Sequence, residues 1–458
     1  MTFTTDIFII GLFPIFVILY QCLGRQHNAI RKVLFFLANC LFLAWGGAGS
    51  FLVLCVFSFL VYLLTALVYR FRSRKVLALS ILITAVPLVV LKYTVFIINM
   101  INSVTGTETA APSFVIPTGI SFITFEAISL LADIFRGKVD KKPGLINTFL
   151  YLTFFPTVTS GPILRYKDFQ GGLYNTAISP DYNTAIERIA IGMCKKLLVA
   201  DKIAVLADYY FDGTAMGNRY SILGLWLGSI AYTLQLYFDF SGYSDMAIGI
   251  GQLLGFNIKE NFDKPYQAYS ISDFWNRWHI SLTSWFRDYI YIPLGGNRCS
   301  RNRHIMNMLV VWLVTGLWHG ADWTFIIWGL GYFILLTAEK YRPQKWIHRG
   351  SVFSHIYTLF FVNLLWVPFR AKNLSTAALY LRGMFGGGKG MIEEKAVHFL
   401  PSLILIVLLC FPWEKLLSGL FRKKWFVFLR QAVLIILVCW AICALINSSY
   451  APYIYGNF

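Results

Sequence analysis

The chain has 458 residues, 57% of them apolar and only 14% charged, with a formal net charge of +18. Charge this sparse cannot cover a soluble surface of that size, and long apolar runs recur from end to end, which excludes a soluble globular protein and predicts an all-α polytopic membrane protein. The basic residues stand in short clusters between apolar runs, the pattern of cytoplasmic loops and not of a nucleic-acid-binding face, so no nucleic-acid partner is expected.

The first span is predicted over residues 6–23 and is read as retained, because Asp6 stands where a cleaved signal would carry basic residues. Arg25, Arg31 and Lys32 follow, then spans over 33–45 and 51–69, the basic run RFRSRK at 70–75, and a span over 76–100. The loop 101–113 carries Glu108 and no basic residue, so the alternation places the N-terminus outside. Residues 114–135 mix Ser121, Thr124, Glu126 and Asp133 with apolar residues. Polar groups at that density are tolerated at membrane depth only when buried in protein or lining a cavity. SGPILRYKDF at 160–169 predicts a broken helix or re-entrant turn. Residues 182–211 are read as helical, and the apolar run 220–256 holds YFDFSGYSD, whose Asp239 and Asp245 imply a lined cavity or, in preference, a buried network in which each pairs with a neighbouring base or backbone group.

The stretch 273–298, DFWNRWHISLTSWFRDYIYIPLGGNR, reads as one amphipathic helix that Pro293 and the glycines after it end. Helical spacing puts Asn276, His279, Thr283 and Arg287 on one face, beside an aromatic face of Trp275, Trp278, Leu282, Trp285 and Tyr289. Such a helix lies at the membrane surface or plugs the middle of a bundle. After the basic cluster 298–304 come two apolar runs, 305–318 and 323–338, joined around TGLWHGADWTFIIW at 315–328. His319 and Asp322 at the junction of two membrane segments mark a candidate site. Residues 340–349 are basic, spans follow over 356–366 and 399–417 around a glycine-rich connection at 383–390, and the last span is 427–446. This gives about eleven or twelve crossings with two or three partial ones, in a single membrane domain over 1–458 with a catalytic core of about 114–340 and no soluble domain.

Of seven histidines, His27, His304, His348, His355 and His398 lie in or beside polar stretches and are read as solvated. His279 and His319 stand apart. A neutral imidazole shielded from water takes a proton from a hydroxyl, which suits transfer of an activated group to an alcohol. The chain has no GxSxG, no phosphate loop, no HExxH and no cysteine or histidine cluster with zinc spacing, so no metal is expected. The residues alone reach a membrane enzyme or transporter with a histidine-lined cavity.

SISDFWNRWHISLTSWFRDYIYIPLGGNR followed by TGLWHGADWTFIIWG closely resembles the membrane-bound O-acyltransferase (MBOAT) family, and more narrowly its bacterial alginate O-acetylation (AlgI-like) branch. The segments 116–138, 154–169, 192–204 and 232–266 and the ending YIYGNF resemble the same branch. The resemblance implies a ring-like helical bundle around an acyl-transfer channel, in the plasma (inner) membrane as a multi-pass protein in contact with membrane lipid. It implies an acyltransferase that moves acetyl from a cytoplasmic thioester, acetyl-CoA or an acylated carrier protein, with no bound cofactor. The acceptor would be a hydroxyl in extracellular polysaccharide or peptidoglycan O-acetylation, reached through an extracytoplasmic acetyltransferase of the SGNH type. His319 matches the family's essential histidine and His279 the second histidine of the branch. Around them Asn276, Trp278, Arg287, Trp318, Asp322 and Trp323 are expected to line the channel, with Trp318 and Trp323 excluding water and His279 positioning the thioester or hydrogen-bonding its carbonyl oxygen; Asn276 is read as a structural amide ahead of a share in that part. Teichoic-acid D-alanylation proteins share FWNRWH and the WHG core, but YIPLGGNR and the longer C-terminal part favour acetyl over D-alanyl. A lipid or polymer transporter without chemistry is the alternative of another class, against which stands the absence of repeated halves.

Overall fold

The structure is a computed structural model that describes residues 3–447 apart from 4, 6, 25–26, 115, 175–180, 343–346, 349, 389 and 422. The expectations for Asp6, Arg25, Lys345, Arg349, Arg422 and the ending at 453–458 lie outside the described residues.

Every regular element among the described residues is helical. In chain order they are α1 (Phe13–Leu19, between π-helical turns Ile7–Leu12 and Tyr20–Gly24), α2 (Asn28–Ala44), α3 (Ala48–Phe71), α4 (Arg74–Thr105), α5 (Ile120–Phe135), α6 (Leu145–Leu152) and α7 (Tyr166–Tyr174). There follow α8 (Tyr182–Cys194), α9 (Asp201–Ala215), α10 (Ile222–Leu253), α11 (Ile271–Arg277), α12 (Ile280–Phe286), α13 (Arg301–His319), α14 (Trp323–Tyr341), α15 (Val352–Arg370), α16 (Leu374–Arg382), α17 (Glu394–Leu409), α18 (Trp413–Leu416), α19 (Ser418–Phe421) and α20 (Lys424–Asn447). Four of them, α3, α4, α15 and α20, are by length and composition alone apolar enough to cross a membrane. Their outward side chains are those lipid solvates: Leu52, Val56, Leu82, Ile435 and Ile436 are all exposed. Residues 182–211, read as helical, run without a break from α8 through a π-helical turn at 195–200 into α9.

Among the described residues the chain forms two compact units, one within 3–189 and 243–260 and the other within 190–242 and 261–447. In the first, α5 packs on α3 and α4. All its polar residues named above are buried, and Glu126 accepts from the Leu164 backbone N–H at 3.2 Å. Gly119, at φ +83°, enters α5 beneath Val158, where an added Cβ would lie 2.1 Å from the carbonyl oxygen. The break after α6 is real: residues 153–165 form turns and extended chain between α6 and α7. Asp245 pairs with Arg188 at 3.0 Å, and Arg188 also holds Glu260.

In the second unit Lys196, 2% exposed, lies between Asp201 and Asp239, 2.7 Å from each. The ammonium compensates the two carboxylates; without it Asp239, equally buried, would keep an uncompensated charge. Lys196→Met is therefore expected to destabilise the protein by about 3–5 kcal/mol, measured as a lowered unfolding midpoint in detergent, and Asp239→Asn by less. The hairpin of α13 and α14 is drawn tight by glycine. A Cβ on Gly316 would lie 2.5 Å from the Phe325 carbonyl oxygen, and one on Gly329 2.5 Å from that of Trp312. The two backbones therefore touch, as small residues permit between membrane helices. α11 and α15 pack against α14 and complete the surroundings of the hairpin.

Candidate active site

His319 is the last residue of α13 and is 2% exposed. The helix stops there because Gly320 turns into extended backbone and leaves no room for a side chain: a Cβ would sit 2.0 Å from the Phe325 ring. Asp322 starts α14 as its N-cap, accepting from the Thr324 N–H at 2.8 Å. The imidazole is walled by aromatic edges and faces, with ring centroids at 4.8 Å for Trp318, 4.9 Å for Trp328 and 5.1 Å for Phe369. Helix-end geometry thus fixes the backbone, and aromatic packing fixes the ring.

His279 is fully buried and sits between α11 and α12 with φ +44° and ψ +52°. A left-handed conformation at a non-glycine residue is unfavourable and persists only where its surroundings impose it. Here Asn261 imposes it. Its backbone oxygen accepts from Ile280 N–H at 2.9 Å, and its Oδ1 accepts from Ser281 N–H at 3.2 Å and Ser281 Oγ at 2.8 Å. The same Oδ1 lies 3.1 Å from His279 Nδ1. A backbone N–H only donates, so the atom facing these groups is the amide oxygen and Nδ1 must donate to it. The neutral ring then carries its lone pair on Nε2. Phe240 stands edge-on to the ring at 4.6 Å. The Trp318 indole is 6.3 Å from His279 and 4.8 Å from His319, so both histidines border one tryptophan.

The break at His279 corrects the single helix expected over 273–298. A continuous helix would put Asn276, His279, Thr283 and Arg287 on one face; the left-handed residue separates them. Asn276 is exposed, and Arg287 is exposed and pairs with Asp288 at 3.0 Å, so neither is drawn to His279. The aromatic side is a buried core and not a surface belt: Trp275, Trp278, Leu282 and Trp285 are all buried. Trp278 stacks on Phe274 at 5.5 Å and packs against Trp366 at 5.2 Å. Trp323, expected to exclude water, is 49% exposed on the first turn of α14; Trp328 and Phe369 cover His319 instead. With its proton on Nδ1, a neutral His279 ring presents an acceptor at Nε2, which suits the expected part of positioning the thioester and not that of donating to its carbonyl. His304, read as solvated, is buried between Tyr291 (Nε2 to hydroxyl, 2.7 Å) and the Tyr341 hydroxyl on Nδ1.

Sequence reasoning passed over Asn261, Phe240, Trp328 and Phe369. The last three read as ordinary core aromatics, and only Asn261 left a signal, an amide beginning the polar run NFDK just before a predicted helix. A cavity of about 540 Å³ opens beside the hairpin, lined among others by Tyr269, Ser270, Tyr291, His304, Trp312 and Glu339. Trp312 is also part of an aromatic cage, 4.8 Å from Trp275, 5.2 Å from Tyr332 and 6.1 Å from Trp328. The indole nitrogens of Trp275 and Trp328 and the Tyr332 hydroxyl are buried with no hydrogen-bond partner among the described residues. Rings therefore lead from the cavity wall to His319, with three donors that a substrate could satisfy. Among the described residues no three His, Cys, Asp or Glu side chains are grouped to hold a metal.

Residues 40–345 match the membrane-bound O-acyltransferase family, MBOAT. The chain is 36% identical over 414 residues to the probable alginate O-acetylase AlgI of Pseudomonas aeruginosa, covering 86% of this chain and 76% of that one. It is 35% identical over 327 residues to the peptidoglycan O-acetyltransferase of Helicobacter pylori, covering 64% and 62%. With the teichoic acid D-alanyltransferase of Bacillus subtilis the identity is 31% over 263 residues, covering 53% and 66%.

Proposed function

Because the chain belongs to the membrane-bound O-acyltransferase family and is a membrane acyltransferase, we propose that it transfers an acetyl group from a cytoplasmic thioester, acetyl-CoA or an acylated carrier protein, to a hydroxyl on the way to an extracellular polysaccharide or peptidoglycan. The observation that carries this reading is the pair of buried histidines on either side of Trp318, one at a helix end and the other locked by Asn261. In the proposed step His319 takes the hydroxyl proton as the oxygen attacks the thioester carbonyl carbon. The C–O bond forms, the C–S bond breaks, and the thiolate leaves with the proton that His319 received. His279 Nε2 accepts a hydrogen bond from a proton-bearing group of the substrate and so orients it. The Trp275, Trp328 and Tyr332 donors lie where the acyl thioester would pass from the cavity to His319. Aromatic walls there exclude water and limit hydrolysis of the donor.

Acetyl is favoured over D-alanyl by identity: 36% over 86% of this chain to the alginate O-acetylase, against 31% over 53% and 28% over 74% to two D-alanyltransferases. The basic loops placed by the positive-inside pattern support a multi-pass protein of the plasma membrane with its donor on the cytoplasmic side. The acetyl group is then handed to an extracytoplasmic acetyltransferase of the SGNH type, which acetylates the polymer. Deleting the gene and measuring ester-linked acetate on purified surface polymers tests the reading. A loss in one polymer is the expected result, and unchanged acetate in all of them would refute it. Polymer acetylation by this protein alone, reconstituted with donor, would remove the partner. A transporter without chemistry requires polymer export, and not only acetylation, to fail in His319→Ala.

A further inference from the structure

A second cavity, of about 360 Å³, lies in the second unit between the turn that joins α9 to α10 and the glycine-rich segment after α16. Its lining includes Thr214, Asn218, Arg219, Arg382, Gly387 and Gly388. Glycine lets the two segments meet: a Cβ on Gly388 would lie 2.8 Å from the Tyr220 carbonyl oxygen and 2.9 Å from Ile222 N.

Both arginines are exposed, and unlike several buried or half-buried cations of the fold they face no carboxylate. Lys196, Arg188, Arg277 and Arg370 all have carboxylate partners. Among the described residues neither Arg219 nor Arg382 makes an ion pair, hydrogen bond or ring contact, and no acid lines the cavity. Glu393, which reaches Ser221 beside the lining residue Tyr220, is already engaged by Ser221 N–H at 2.7 Å, Ser221 Oγ at 2.7 Å and the Tyr210 hydroxyl at 2.9 Å. Two exposed guanidinium groups on one cavity, with no acid in its lining, give it a positive potential that attracts an anion.

Beside these cations stand exposed apolar side chains: Met216 at 77%, Phe385 at 61%, Leu223 at 55% and Leu379 at 52%. Phe385 packs edge-on to Trp226 at 5.6 Å, and Trp226 donates to the Met384 carbonyl at 3.0 Å, an indole amphipathic in the manner of membrane-interface tryptophans. A soluble anion would use the guanidinium groups and leave that rim unused. A phospholipid uses both, its phosphate between the arginines and its acyl chains along Met216, Leu379 and Phe385.

We propose that this cavity holds the headgroup of an anionic phospholipid through Arg219 and Arg382. It is independent of the acyl-transfer reading and of which membrane face the cavity opens to. The purified protein in neutral detergent, titrated with phosphatidylglycerol or phosphatidylcholine and read by native mass spectrometry, tests it. Phosphatidylglycerol is expected to be retained in preference. Arg219→Gln and Arg382→Gln should each weaken its retention roughly fivefold, and the double variant about thirtyfold, at roughly 1 kcal/mol per basic residue. Arg219→Lys with Arg382→Lys should keep most of it. A size-exclusion profile in phosphatidylcholine checks folding, and should the double variant misfold, the two single variants decide. Retention of phosphatidylglycerol unchanged from that of the unsubstituted protein in both Gln variants would overturn the proposal. So would inorganic phosphate that displaces nothing while binding at the same arginines, which would make this a site for the free anion.

Discussion

His319→Ala lowers the initial rate of acyl transfer by on the order of 10²–10⁴-fold, the range that follows loss of a general base. The variant should remain folded and membrane-inserted. Its backbone at the end of α13 is ordinary helix, and the turn is held by Gly320 and by the Asp322 cap, neither of which uses the imidazole. The removed ring does leave a space among Trp318, Trp328 and Phe369, so a modest fall in unfolding midpoint accompanies the loss of rate. His319→Gln separates the two effects. It fills much of the space and restores stability, and it cannot accept a proton at neutral pH, so its rate should stay as low as that of alanine. Rates come from purified variants with donor and acceptor, and folding from size-exclusion profiles. Near-normal turnover in His319→Gln would make the hairpin histidine structural and place the base elsewhere.

The second large effect belongs to His279, where chemistry and backbone strain must be separated. An alanine there removes the ring and still has to adopt φ +44°, a conformation that adds roughly 1–2 kcal/mol for a residue with a Cβ. Glycine and asparagine tolerate that region. His279→Gly and His279→Asn are therefore expected to fold at least as well as His279→Ala, while all three lose acyl transfer together. A loss of activity that tracked stability across the three variants would reduce His279 to a backbone role. Asn261→Leu supplies the complementary measurement. It leaves His279 in place but strands the Nδ1–H and the Ser281 donors, about 1–3 kcal/mol for each buried group left unsatisfied. With the tautomer no longer imposed, the rate should fall even in the fraction that folds.

These variants also mark where reading from sequence stops. That the chain is helical and membrane-embedded follows from composition and run length, because burying backbone in lipid leaves helices and closed barrels as the options and 57% apolar residues in long runs favour the first. The hairpin at His319 was legible for a local reason: two apolar runs flank a short polar interruption, and Gly320 and Asp322 carry the stop and start signals of helices. The pairing of Asp239 and Asp245 with bases was legible as well, since a carboxylate in an apolar run needs a partner, although the identity of Lys196 and Arg188 was not.

The break at His279 was decided by tertiary structure alone. Local spacing over 273–298 favours one continuous helix, and what interrupts it is Asn261, 18 residues earlier, whose carbonyl and amide capture the N–H groups of Ile280 and Ser281. Periodicity reports only which side chains would align if the backbone stayed regular, so Asn276 and Arg287 were assigned to a face that does not exist. The cover over His319 has the same origin. Trp323 and Trp328 are equally aromatic and both belong to α14, yet α15 packs Phe369 and Trp366 against Trp328 and leaves Trp323 exposed. Which side of a helix is covered depends on its neighbours in space, and for residues so uniformly apolar that information resides in packing and not in the order of the chain.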